Sequence, residues 1–152
     1  MSIQNIPDEI KKALFYIEVE IGDKKLQCRV DEDLVIEYDQ IEFELEHVAQ
    51  IYHAWSQLYS EVKEQVNIAD KQIRRRRGIL TTEIIADMGK SLSRGTLADL
   101  VECDDKLVVL EAKHIRLQKL AGKLYFTMEA MKLKSDHMRS LCGFKKLEMQ
   151  NS

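Results

Sequence analysis

The sequence predicts a mainly α fold: a long antiparallel helical hairpin, coiled-coil-like, with a small β-hairpin at its N-terminal end. Two apolar stripes and one charge pattern predict it. Ile41, Leu45, Val48, Tyr52, Trp55, Tyr59, Val62, Val66, Ala69 and Ile73 follow one another at alternating steps of four and three. Leu107, Leu110, His114, Leu117, Ala121, Leu124, Met128, Met131, Ser135, Met138 and Cys142 do the same. Each stripe has the period of 3.5 residues at which a helix buries one seam against a partner helix. At 1.5 Å per residue the first helix would run roughly 70 Å, too long for an ordinary globular core, so it needs a partner along most of its length. The charges show how that partner returns. Every charged side chain of residues 31–46 is acidic, and nearly every one of residues 113–146 is basic, with Glu129 and Asp136 the exceptions. An antiparallel return sets basic residues 132–146 beside acidic residues 31–46. It also brings Glu102, Asp104 and Asp105 near the arginines at 74–77, so both ends match in sign.

The elements follow in order. Pro7 with Asp8 and Glu9 behind it marks a short helix over residues 8–13. Residues 14–21 (LFYIEVEI) alternate partly, Gly22 and Asp23 signal a turn, and residues 26–30 return as a second short strand. This is a β-hairpin, and two strands alone are marginal, so it must pack on something or pair across a subunit boundary. Asp39 is expected as the N-cap of the first long helix, with Glu42 at the capping-box position and Glu42, Glu44 and Glu46 favoured by the helix dipole. Trp55 and Tyr59 continue the seam as core residues rather than a stacking platform. Gly89 to Gly95 (GKSLSRG) break the helix. A short helix over residues 96–103 follows, with Thr96 as N-cap, and then a second long helix ending at about Cys142 with Gly143 as C-cap. Phe144 and Leu147 are expected to tuck back from a short tail. The chain thus reads as residues 1–38, carrying the hairpin at about 14–30, and a helical hairpin domain over 39–152, with long helices at about 40–88 and 104–142. Leu45, Val48, Tyr52, Trp55, Tyr59, Val62, Leu117, Leu124 and Met131 form the coiled-coil or oligomer seam. His114 on that seam sets register or oligomer state rather than binding metal.

Composition narrows the function. Pro7 is the only proline, glycines number six, and the net charge is −3. This is a helical, charged chain rather than a disordered one. Cys28, Cys103 and Cys142 are odd in number and far apart, as suits reduced thiols, and the four histidines are scattered. The chain opens with no signal sequence and holds no run of ~18 apolar residues, so a soluble intracellular protein is expected. No enzyme is expected: the chain has no Gly-rich phosphate loop, no HExxH and no nucleophile with an evident base. The GKS at residues 89–91 lacks the upstream glycine and preceding strand of a phosphate-binding loop. No cofactor and no metal are expected.

One constellation stands above background. Lys71, Arg74, Arg75, Arg76 and Arg77 fall within two turns, with Lys90 and Arg94 beyond them. Successive helical residues lie ~100° apart, so four consecutive arginines cannot share one exposed face. Some must meet a partner helix, a neighbouring subunit or a polyanion. A dense guanidinium cluster binds phosphate backbones through charge-assisted contacts, without reading base sequence. Alternatively, Glu102, Asp104 and Asp105 neutralise it across the hairpin, or it lies at a subunit interface. The basic second helix (Lys113, Arg116, Lys119, Lys123) reads as a solvated face.

The acidic helix start, Tyr52 and Trp55 early in the first helix, the basic run near its end and the closing KSDHMRSLCGFKKLEM carry a resemblance. Over residues 35–149 the chain resembles the UvsY-type recombination mediators of tailed phages, small helical subunits that assemble into a ring. The resemblance implies binding of single-stranded DNA, contact with a single-strand binding protein and a RecA-like recombinase, and help in loading that recombinase. It also implies a homo-oligomer in the cytoplasm of a phage-infected or lysogenic bacterial cell, with DNA contact at Lys71, Arg74, Arg75, Arg76 and Arg77 and Lys90 and Arg94 nearby. The alternative is a structural or assembly coiled-coil protein, a phage scaffold or adaptor, that binds only protein.

Overall fold

The computed structural model describes residues 6–88 and 92–150. Their elements run α1 (Asp8–Phe15), β1 (Tyr16–Ile21), β2 (Lys24–Arg29), α2 (Val30–Leu34), a 3-10 turn (Tyr38–Gln40), α3 (Ile41–Met88), α4 (Arg94–Glu102) and α5 (Asp105–Gln150). The chain forms two compact units, Met1–Glu61 with Gly122–Ser152, and Val62–Ala121. Within each unit a stretch of α3 packs antiparallel to a stretch of α5, and the fold is the helical hairpin with a small N-terminal β-hairpin.

In the first unit the seam of α3 buries Ile41, Val48 and Trp55, and that of α5 buries Leu124, Met131 and Met138. Ile41, Val48 and Met138 form one cluster, into which Ile36, Leu45, Leu141 and Cys142 pack. Each large side chain fully removed from water there contributes roughly 1.5–3 kcal/mol. Tyr52, expected on the seam, is exposed, and the half-buried Tyr59 ring lies 6.1 Å from that of Tyr125. The strands pair antiparallel from Tyr16 opposite Arg29 to Ile21 opposite Lys24. Gly22 closes the turn at φ 58°, a left-handed conformation that glycine adopts without steric cost. Alternation along β1 buries Ile17 and Val19, which anchor the hairpin. In the second unit the cluster is Ile73, Leu80, Val101 and Leu107, with Ile84 and Leu110 against it, and Leu117 and His114 half-buried.

Four expectations are corrected. The first helix extends to Phe15, so the strand starts at Tyr16. Asp39 is not the N-cap of α3: it lies in the 3-10 turn, which starts after Glu37, and the Glu37 N–H donates to Glu44 Oε1 at 2.6 Å. Thr96 is inside α4, whose N-cap is Ser93: its hydroxyl accepts the Thr96 N–H at 3.1 Å, three residues on. Finally, α5 passes through Gly143 to Gln150, so Phe144 and Leu147 do not tuck back but stand exposed on the helix. A short helix not foreseen, α2, carries Asp31, Glu32 and Asp33 in its first turn, where the dipole favours them, and Arg29 pairs with Asp31 and Glu32 at 2.8 Å each.

The first unit also holds a buried lysine. The Lys134 side chain on α5 is 8% exposed, and its ammonium donates to the carbonyls of Asp33 (2.9 Å) and Val35 (2.5 Å). Glu44 Oε2 lies 2.9 Å away as the charge partner. The Trp55 indole N–H donates to Asp33 Oδ2 at 2.9 Å. Side chains from both long helices thus pin the segment 33–37. Burial alone would push the Glu44 carboxyl up, yet the Lys134 ammonium and the Glu37 amide outweigh it and hold the group below its ordinary value.

Candidate nucleic-acid interface

The arginine run lies in the second unit, where the phase of α3 sorts its members. The seam residues Val66, Ala69 and Ile73 continue by three and four to position 76 and then to Leu80, which is buried. Arg76 therefore stands where a seam residue would, Arg77 flanks it, and Arg75 and Lys71 fall about 200° from Ile73, on the opposite face.

The contacts follow this phase. Arg76 is partly buried and forms a two-point pair with Asp104, Nε to Oδ1 at 3.0 Å and Nη2 to Oδ2 at 2.5 Å. Asp104 also accepts the Leu107 N–H at 2.7 Å, and so caps α5 while it holds the guanidinium. Arg77 Nη2 reaches Glu102 at 3.1 Å and Glu111 at 2.5 Å. Glu111, rather than Asp105, is the third acid of the cluster. Among the described residues Arg74 pairs only with Asp70, one turn back on its own helix at 2.9 Å, and its side chain stays 78% exposed. Lys71, Arg75 and Arg94 are exposed, with no ion pair among the described residues. Lys90, the remaining expected contact, lies outside the described residues. The run thus divides into two arginines bonded to carboxylates of α4, α5 and the junction between them, and an open face of Lys71, Arg74 and Arg75.

The hydrogen-bonded Arg76 guanidinium holds the Asp104 carboxyl below its ordinary 3.8; partial burial opposes this and the Leu107 amide adds to it. A carboxyl lowered in the folded state contributes stability that is complete above its unfolded value and lost as pH falls through the folded one. The Arg76–Asp104 contribution is therefore intact at pH 5 and above and disappears on acidification below 3.8. Thermal melts between pH 6 and pH 3 should show the wild type losing more midpoint than an Asp104→Asn variant, which keeps a capping oxygen but has no charge to lose. Parallel curves would assign the acid sensitivity elsewhere.

Among the described residues, no group of three or more His, Cys, Asp or Glu side chains is arranged to hold a metal ion. Likewise no helix among them is long and apolar enough to cross a membrane.

The helical-hairpin fold of this chain has counterparts among solved structures. Two crystal structures of UvsY, the recombination mediator protein of bacteriophage T4, share it. One matches with a TM-score of 0.65 at 13% identity, over 78% of this chain and 92% of that chain. The other, in a different lattice, matches with a TM-score of 0.66 at 11% identity, over 78% and 95%. At this identity the likeness is one of fold. No family model matches the sequence, and no curated protein matches it.

Proposed function

We propose that this protein is a non-enzymatic, oligomeric single-stranded DNA-binding recombination mediator that helps load a RecA-like recombinase. The observation that carries the reading is the open cationic face of Lys71, Arg74 and Arg75 on a fold shared with a known mediator. Exposed ion pairs such as Arg74–Asp70 contribute little to stability, so a phosphate displaces Asp70 at small cost. Arg94, in the first turn of α4, and Lys90 add charge. Such contacts read backbone and not base, and therefore tolerate any sequence.

A single subunit offers few cations, and repetition of the face in an oligomer supplies avidity. Self-assembly is supported by α5 of the first unit. Phe126, Leu133 and Phe144 recur at spacings of seven and eleven, which return to one azimuth, and are 71%, 70% and 66% exposed. Phe126 and Leu133 each follow a seam residue, Leu124 and Met131, by two positions and so point roughly 200° away from the seam. An apolar stripe opposite a buried seam suits contact with a second subunit. A Phe126→Ser/Leu133→Ser variant should keep its helicity and fall to a smaller species in light scattering after gel filtration. An unchanged mass would remove the stripe from the assembly.

The function is tested by anisotropy of labelled single-stranded and duplex oligonucleotides across a salt series. Preferential single-strand binding that falls steeply with salt is the expected result, together with faster recombinase assembly on strands coated by a single-strand binding protein. The second reading, an assembly coiled-coil protein that binds only protein, draws on the Arg76 and Arg77 ion pairs. An intact wild-type oligomer that binds no oligonucleotide at low salt would establish it in place of the first.

A further inference from the structure

Gly78 is exposed in the interior of α3, a position where glycine is the least favoured residue after proline. Nothing in the packing of the described residues requires it. A Cβ built there meets no atom within 4 Å, and the backbone is not in the left-handed region. Its neighbours on the helix surface are the open cations. Gly78 follows Arg74 by four, Arg75 by three and Lys71 by seven, the spacings that share a helix face. Helical side chains lean toward the N-terminus, so a residue covers the turn before its own Cα. A side chain at position 78 would therefore lie over Arg74 and Arg75. The next residue on this face, Thr82, is short and donates its hydroxyl to the Gly78 carbonyl at 3.0 Å.

We infer that Gly78 is a positioning residue, a notch that lets the sugar–phosphate backbone of a single strand lie against α3 between Arg74 and the pair Lys71 and Arg75. The inference rests on the proposed single-strand binding and adds the place where the strand crosses the helix. Both guanidinium stems stay uncovered, and a phosphate displaces Asp70 from Arg74 without meeting a side chain on the strip beside it.

The test uses the full chain as wild type, Gly78→Ala and Gly78→Leu, with oligomer mass checked for each and an oligo-dT as probe. Both replacements favour the helix, so each thermal midpoint should rise by about 2–4 °C. Affinity should move the other way, falling about threefold for Ala and on the order of tenfold for Leu, with the Leu salt slope shallower by roughly 0.7, one phosphate contact. Higher melting with unchanged affinity and slope would overturn the notch. Lower melting in both variants would also overturn it, by revealing a packing role for the glycine. A wild type that binds no oligonucleotide at low salt overturns the proposed function and the notch together, whereas indifferent variants of a binding wild type overturn the notch alone.

Discussion

Replacing Lys134 with methionine should destabilise the chain by about 3–5 kcal/mol, the range seen when one member of a buried ion pair is removed. The stem volume is kept, so the loss is not one of packing. Glu44 is left beside the seam without its charge partner, and the carbonyls of Asp33 and Val35 lose their shared donor. Against a total of about 5–15 kcal/mol for a typical domain, this is a large fraction. The double variant Lys134→Met/Glu44→Gln should recover part of it, because the uncompensated charge is gone while the carbonyls remain unpaired. Trp55 is the only tryptophan of the chain and is hydrogen-bonded to Asp33, so its emission during urea unfolding reports directly on the segment that Lys134 holds. Cleavage within residues 33–37 by a protease at low concentration should appear in the variant before the helices melt. A Lys134→Met protein as stable as wild type would mean that the seam alone fixes this segment.

The depth of Lys134 shows where sequence reading stops. The seams are legible because their period is local: Ile41, Val48, Trp55 and Val62 on one helix, and Leu107, Leu124, Met131 and Met138 on the other, are buried as the spacing of 3.5 requires. The charge match is legible for the same reason, and it is realised in Lys134 with Glu44, and in Arg76 and Arg77 with Asp104 and Glu102. That Lys134 in particular is buried depends on residues 33–37 crossing beside it, about a hundred positions away in sequence. Helical phase does turn Lys134, three residues after Met131 and four before Met138, toward the seam and Lys132 away from it, but it does not show which segment receives the ammonium. Helix ends fail differently. Gly143 lies in open space within α5 and gives no cause to stop, and Ser93 precedes Thr96 with the same capping chemistry, so composition alone does not choose between them. The split of the arginine run is a signal present but unread: carrying the heptad from Ile73 to Leu80 puts position 76 on the seam and Lys71 and Arg75 across from it.

That split makes the strongest functional prediction a crossed one. Lys71→Ala/Arg74→Ala/Arg75→Ala removes the open face and touches no ion-pair partner among the described residues beyond the half-buried Asp70, so helicity, oligomer mass and melting should stay close to wild type. Binding of single strands should fall on the order of a hundredfold near physiological salt, and the slope of log affinity against log salt should shallow by about 2, at roughly 0.7 per phosphate released. Arg76→Ala/Arg77→Ala removes the same kind of charge from neighbouring positions and should do the reverse. Asp104, Glu102 and Glu111 lose their partners, the melting temperature drops, and the salt slope of the folded protein stays near that of wild type. Because the two variants remove three charges and two, a general electrostatic effect would weaken binding in both in roughly that proportion on a logarithmic scale. Losses of binding in that proportion with equal melting would therefore dissolve the distinction between an open face and a bonded one. A crossed pattern has no source except the phase of α3 against its seam.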